Sequence, residues 1–344
     1  MAGKVKIKDV ALAANVSVGT VSHYLNGRFV SEERSRRIKQ AIDDLGFVSN
    51  LLAKGMRQQK SPVIGISLPY AGVANFSSLV DALDTIVSDA DYELMQVLSR
   101  HDPEKEFHRI KRLVAFQVGG VLLIPSPDAE PMLDYLHKNS VPTVILNRSL
   151  KDENRFDQIS VDHDSAAAEA TRRLLARGHR RFALLARFPS LWTTRSRMGA
   201  IEQELAAFGV GASAVLHQCS NDKAEFDASF GALMATKDRP TAILISNETI
   251  AVWALEALRN NAIACPQTVA AVCLSMPSWA QLLTPRIAYV EQPTVELAEL
   301  AWKTLSERMA NPGGAARRML LPARLIMPED EPAHTQVETN STGA

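Results

Sequence analysis

Residues 15–27 read NVSVGTVSHYLNG. Ser17 precedes VGTVSHYL and is suited to N-cap a helix, because its hydroxyl can take an orphan backbone N–H. Val21, Tyr24 and Leu25 give that helix an apolar side, and Val18, Gly19, Ser22 and His23 fall on the other. Asn26-Gly27 ends it, glycine being free to adopt a positive φ. Upstream, IKDVALAANVS sets Val10, Ala11, Ala14 and Val16 on or beside one stripe at helical spacing, with Asn15 as the turn residue. Downstream, SEERSRRIKQAIDDLGF predicts a third helix from Ser31 to about Leu45, with Ile38, Ala41, Ile42 and Leu45 as its stripe and Gly46 as its stop. Helix, tight turn, helix and third helix within about 45 residues is the pattern of a helix-turn-helix DNA-binding module. A generic three-helix bundle reads the same way.

Charge separates the two readings. Residues 1–60 hold 11 Lys+Arg against 5 Asp+Glu, and the remainder holds 27 against 33. A basic head on an acidic body is the footprint of a nucleic-acid module attached to something else. At 344 residues the chain calls for two or three domains, and 46% apolar with 22% charged residues is ordinary for a soluble protein. Three cysteines, Cys219, Cys265 and Cys273, include no Cys-x-x-Cys spacing. That argues against a disulfide framework or zinc ribbon and fits a reducing cytoplasm. The start MAGKVKIKDV lacks an apolar run, so it does not read as a signal peptide, and no segment approaches the ~18 apolar residues of a membrane span.

The stretch KIKDVALAANVSVGTVSHYLNG…VSEERSRRIKQAIDDLGF resembles the N-terminus of the lactose-repressor (LacI) family of bacterial transcription regulators. The likeness continues through RPTAILISNETIAVWALEAL and LLTPRIAYVEQPTVELAELAWKTL to about residue 327. It implies that SVGTVSHYLNG is a recognition helix. By the family's pattern, Val18, Gly19 and His23 face base edges in the major groove. Val18 offers apolar contact, suited to a thymine methyl. Gly19 permits close approach. His23 stands where the family usually has Arg, and it can donate one hydrogen bond to guanine but cannot make the bidentate fork. Ser17, Thr20, Ser22 and Asn26 read as phosphate contacts and caps, which position without specifying; plain capping or solvent exposure is the alternative.

Residues 49–62, SNLLAKGMRQQKSP, match the family's hinge, which becomes helical only on the operator. The segment is too short to be helical alone, and Gly55 weakens it by about 1 kcal/mol relative to Ala. Asn50 can cap it, although Ser49 replaces the usual Pro, and Pro62 ends it. Met56 aligns with the Leu that the family wedges into the minor groove, a task Met can also serve. Lys54 and Arg57 flank it.

The body alternates apolar runs (63–68, 92–98, 120–125, 142–147, 182–186, 241–246 and 268–274) with amphipathic stretches (75–90, 103–116, 164–177, 197–208, 247–260 and 294–309). That predicts doubly wound, parallel α/β structure repeated twice. The expected fold class is α/β with an all-α N-terminal headpiece. Expected domains are a headpiece at 1–48, a hinge at 49–61, a two-lobe body at 62–328 and a disordered polar tail at 329–344. The resemblance implies a periplasmic-binding-protein-like body. Its lobes are about 62–161 with 292–322 and about 162–291 with 323–328, crossing near Asp162, Glu291 and Pro322, with a ligand in the cleft between them.

No Gly-x-Gly-x-x-Gly, Walker lysine or Gly-x-Ser-x-Gly motif is present, and the eight histidines show no ligand spacing. No enzyme activity, cofactor or metal is therefore expected. An α/β enzyme carrying a DNA-binding head, or an architectural DNA binder with a vestigial sensor lobe, are the rivals. The expected partners are a pseudo-palindromic double-stranded operator, a small-molecule effector and a second copy of the chain, with no membrane. For the effector, the family pattern points to Asn75 and Phe76 on the first cleft loop, Asp162 at a lobe crossing, Arg195 and Arg197 in TTRSRMGAI, Asn247 in SNE, and Ser275. Ser275 departs from the family, whose Asp there accepts from sugar hydroxyls. Losing a carboxylate while keeping arginines tilts the cleft toward an anionic sugar derivative or organic acid.

Overall fold

The computed structural model describes residues 5–25, 28–47, 61–150, 154–275, 280–282 and 286–328. The chain divides into two compact units, Met1–Pro62 and Val63–Ala344. In the first, α1 (Ile7–Ala13), α2 (Val18–Leu25) and α3 (Glu32–Leu45) enclose a small core of Val10, Ala11, Ala14, Val21, Ile38 and Ala41. Ser31 is the N-cap residue of α3, and Gly46 ends it in the left-handed region at φ 58°, as its lack of a Cβ permits. Leu45, expected on the apolar stripe, is instead exposed, because the last turn of α3 outruns this small core.

The second unit contains two six-stranded sheets. In the first, β1 (Val63–Leu68), β2 (Glu93–Leu98), β3 (Gly120–Leu123), β4 (Thr143–Leu146), β5 (Asp157–Val161) and β11 (Arg318–Leu321) lie in the order β11-β5-β4-β3-β1-β2, all parallel. In the second, β6 (Arg181–Ala186), β7 (Ser213–Gln218), β8 (Ala242–Ile245), β9 (Ala270–Cys273), β10 (Ala288–Glu291) and β12 (Arg324–Ile326) lie in the order β12-β10-β9-β8-β6-β7, with only β12 antiparallel. The central strands of each sheet are buried on both faces, which is why β3, β8 and β9 are unbroken apolar runs and β4 departs from one only at Thr143.

The chain passes between lobes three times. It leaves β5 for the helix His163–Ala176, leaves β10 for the helix Thr294–Ala310, and leaves β11 for β12. The helix Thr294–Ala310 returns to the first lobe and inserts Leu297, Ala298, Ala301 and Leu305 into its core. Gly120 makes this possible: a Cβ there would stand 2.8 Å from Leu305 Cδ1.

Strand β5 escaped the apolar-run reading because it is DQISV, with Asp157, Gln158 and Ser160 all buried. Each polar group has a structural use or a nearby cavity. Gln158 exchanges hydrogen bonds with the backbone of Leu150. Asp157 accepts from Arg308 Nε at 3.0 Å through one oxygen, and from the backbone N and the Nε of Arg317 at 2.9 and 3.1 Å through the other. Asp157 thereby ties β5 to the returning helix and to β11. Replacing it with Ala leaves the nearly buried Arg308 cation with backbone carbonyls but without its counter-charge. D157A is expected to lower unfolding free energy by about 3 kcal/mol or more, read as a lower urea midpoint with unchanged m-value. An unchanged midpoint would mean that the pair is merely decorative.

Candidate functional site

In the headpiece, Ser17 caps α2: its Oγ accepts from Thr20 N at 3.1 Å and shares a hydrogen bond with Thr20 Oγ1 at 2.8 Å. Val21 turns into the core, and Val18, Gly19 and His23 are exposed. Ser22 is half-buried. A Cβ on Gly19 would meet nothing closer than Ser17 Oγ at 3.6 Å, so the headpiece itself does not require glycine there. Asn26, Asn50, Lys54, Met56 and Arg57 lie outside the described residues.

In both lobes the strand order reverses beside the first strand, between β1 and β3 and between β6 and β8. Open α/β sheets bind ligands at such switch points, beyond the carboxyl ends of the strands. The residues following those ends converge on one interlobe cavity of about 140 Å³. Tyr70 follows β1, His101 follows β2, and Asn147 and Arg148 follow β4. From the second lobe, Arg187 and Phe188 follow β6, Ser246 and Asn247 follow β8, and Ser275 follows β9.

Among the expected residues, Asn75, Phe76, Arg197, Asn247 and Ser275 line this cavity. Asn75 and Phe76 sit on the first turn of the helix Ala74–Asp89 rather than on a loop. Asn75 Nδ2 donates to Ser275 Oγ at 2.8 Å, directly across the lobes. Asn247 caps the helix Glu248–Asn260, its Oδ1 accepting from Ile250 N. Arg197 is buried and donates to Ser246 O at 3.1 Å and Leu274 O at 2.9 Å.

Two expected residues fall elsewhere. Arg195 is exposed and donates to Ser190 O, and Asp162 caps the helix His163–Ala176 by accepting from Ser165 N. Both line an adjoining groove, which shares Arg148 and His163 with the cavity. The reason is helical geometry: positions two apart lie about 200° apart around the axis, so Arg195 and Arg197 cannot share a face.

Sequence reasoning missed Arg148, Arg187, His101 and His163. The available signal was position: each follows an apolar run at the end of a strand, as in LNR (146–148) and LLAR (184–187), or, for His163, starts the helix after one. Arg148 and Arg197 are each 6% exposed. Burial lowers both guanidinium pKa values to about 10; the buried Glu106 carboxylate opposes this at Arg148. Arg148 donates to Asn147 O, while Arg187 lies 4.9 Å over the Trp253 ring. His163 Nδ1 faces Arg197 Nη2 at 3.4 Å, and burial followed by Arg197 and Arg148 drives its pKa well below 6.5. His101 packs between Tyr70 and Phe188, edge-on to the first and tilted against the second, with ring centroids at 5.4 and 4.6 Å. Four cavity-side atoms, His101 Nδ1, Asn147 Oδ1, Arg148 Nε and Arg187 Nε, are buried without a hydrogen-bond partner among the described residues. No carboxylate is among the described lining residues. No group of three potential metal ligands occurs among the described residues, and none of their helices is long and apolar enough to cross a membrane.

A helix-turn-helix headpiece followed by two α/β lobes around a polar cleft defines a ligand-responsive regulator of transcription. Known proteins agree. The description "Bacterial regulatory proteins, lacI family" matches residues 6–50, and "Periplasmic binding protein-like domain" matches 171–327. The HTH-type transcriptional regulator KdgR of Bacillus subtilis (strain 168) is 27% identical over 335 residues, covering 94% of this chain and 97% of the relative. The ribose operon repressor of Haemophilus influenzae is 25% identical over 329 residues, with 94% and 97% covered. The lac repressor dimer bound to operator and the anti-inducer ONPF superposes with a TM-score of 0.83 at 20% identity, covering 94% of this chain and 98% of that one. The headpiece belongs to the LacI family of bacterial regulatory proteins, and the chain is a helix-turn-helix transcriptional regulator.

The histidine environment sets a pH dependence. Burial, then Arg148, lowers the His101 pKa from 6.5 to about 4. Its folded value lies below its unfolded value, so the unfolded chain binds more protons between them. Stability is therefore lost as pH falls from about 6.5 toward 4. His163 acts in the same sense. H101Q is expected to shrink the drop in denaturation midpoint between about pH 7 and about pH 5. An unchanged drop would place the dependence on other groups.

Proposed function

We propose that this regulator is a repressor that binds a pseudo-palindromic operator as a homodimer, and that a small organic anion in the interlobe cleft alters its operator affinity. The observation that carries the effector reading is the set of three guanidiniums, Arg148, Arg187 and Arg197, on a cavity whose described lining holds no carboxylate. Arginine grips carboxylate and phosphate with two parallel, charge-assisted hydrogen bonds. In this reading the ligand leaves unchanged, so the chain is a sensor rather than an enzyme, and it works in the cytoplasm. Residues 1–48 read DNA, 49–61 form the hinge, 62–328 sense and dimerise, and 329–344, outside the described residues, form a tail.

One headpiece spans only a few base pairs, so two-fold symmetry supplies usable specificity. Val18, Gly19 and His23 face the bases, Ser17, Thr20, Ser22 and Asn26 hold phosphates, and the Met56 wedges enter the minor groove flanked by Asn50, Lys54 and Arg57. Gly19 supports this reading: the headpiece does not need it, and glycine weakens a helix by about 1 kcal/mol relative to Ala, so its bare surface suits an outside partner.

Two measurements test the proposal. Titrating anionic and neutral metabolites into the operator complex by fluorescence anisotropy should change operator affinity with an anion; affinity unmoved by every ligand that binds the cleft would refute regulation. H23A should cost about 1 kcal/mol at one symmetric base position and leave the other positions unaffected. A uniform loss across all operator variants would assign His23 to the backbone.

A further inference from the structure

The cleft is unusual in what it can no longer offer a sugar. A polyhydroxylated ligand needs acceptors as well as donors. Ser275 stands where the family pattern has an acid, and its Oγ already accepts from Asn75 Nδ2 at 2.8 Å. Two groups expected to hold hydroxyls therefore spend one donor and one lone pair on each other. Among the described lining residues the fixed charge is all cationic, from the guanidiniums of Arg148, Arg187 and Arg197, and amide and hydroxyl groups such as Asn147 and Gln292 supply the neutral acceptors. Arg148 and Arg197 spend bonds on backbone carbonyls, Asn147 O for the first and Ser246 O and Leu274 O for the second. Glu106, the acid that acts on Arg148, is fully buried, and its carboxylate is committed to Ser126 N at 2.8 Å and Ser67 Oγ at 3.2 Å. A buried cation is costly until it is paired. Glu106 offsets part of the charge at Arg148 and Asp164 part of that at Arg197, but the Nε atoms of Arg148 and Arg187 stay without partners, two separate places for a ligand's anionic oxygens.

Size narrows the class further. Tyr70, His101 and Phe188 close one side as a continuous aromatic wall. The cavity is open on one side and has a volume of about 140 Å³. A cavity of about 150 Å³ accommodates a ring of roughly six carbon atoms, whereas a hexose has roughly twice as many non-hydrogen atoms. Accepting the cleft as the effector site, we propose that the effector is a compact dianion, a dicarboxylate or a phosphate monoester of about six to ten non-hydrogen atoms, and not a sugar. Its two anionic ends engage Arg148 and Arg197, Arg187 covers the mouth, and its short apolar centre rests on the aromatic wall.

Calorimetry on the full-length protein at fixed ionic strength tests this with five probes: L-malate, glycerol 3-phosphate, L-lactate, glucose and glucose 6-phosphate. At least one of the two compact dianions should bind roughly tenfold or more tightly than lactate, since a hydrogen-bonded charge pair is being added. It should also exceed glucose and glucose 6-phosphate. Malate alone identifies a dicarboxylate site, and glycerol 3-phosphate alone identifies a phosphate site. R148M, and independently the rim variant R187M, should reduce the dianion's advantage over lactate, with circular dichroism confirming that each is folded. If neither dianion exceeds lactate, or if glucose or glucose 6-phosphate binds best, the proposal is overturned. Operator anisotropy with the same probes separates this from the regulatory reading. A dianion that binds without moving operator affinity upholds the ligand class and refutes regulation; a neutral hexose that moves it does the reverse.

Discussion

Eleven of the twelve strands run parallel within their sheets, and this single constraint places everything functional in the body. Parallel strands end together, so each lobe gathers its strand-to-helix turns along one edge. Three crossings hold those two edges against each other. Residues one or two positions beyond β1, β4, β6, β8 and β9 therefore reach the cleft whatever their chemistry, which is how Tyr70, Arg148, Arg187, Ser246 and Ser275 come together from distant parts of the chain.

The electrostatics follow from that convergence. Strand ends present backbone carbonyls, and Arg197 uses those of Ser246 and Leu274 to hold its charge where water is scarce. The two cleft histidines answer to the same cations. His101 and His163 stay neutral because protonating either would add charge to a buried, positive site. The cleft thus carries fixed positive charge from groups that do not titrate near neutrality, and its histidines contribute shape and hydrogen-bonding capacity instead.

Most of the architecture was legible because buried parallel strands are apolar throughout and the headpiece helices carry clear stripes and caps. Strand β5 was not, since its stability comes from Gln158 bonding the nearby Leu150 backbone and from Asp157 finding Arg308 and Arg317 far along the chain, which no local pattern can announce. The cleft was half legible. Arg197, Asn247 and Ser275 could be placed by pattern. Arg148 and Arg187 could not, because a lone arginine after an apolar run looks the same whether it turns to solvent or into a cavity. Arg195 was misplaced by proximity in sequence to Arg197, which the helix sends to another face.

The hydrogen bond from Asn75 to Ser275 has a mechanical meaning as well as a chemical one. It joins two lobes that are otherwise connected by three covalent crossings, and it exists only when their faces meet. Such a bond biases the opening equilibrium itself. At about 1 kcal/mol it multiplies the population of the shut form by about fivefold, before any contribution from the His101–Phe188 ring contact. A carboxylate at position 275 would add a negative charge at this seam; the serine instead makes closing the lobes a partly intrinsic property of the chain, with the arginines left to determine which molecule is enclosed.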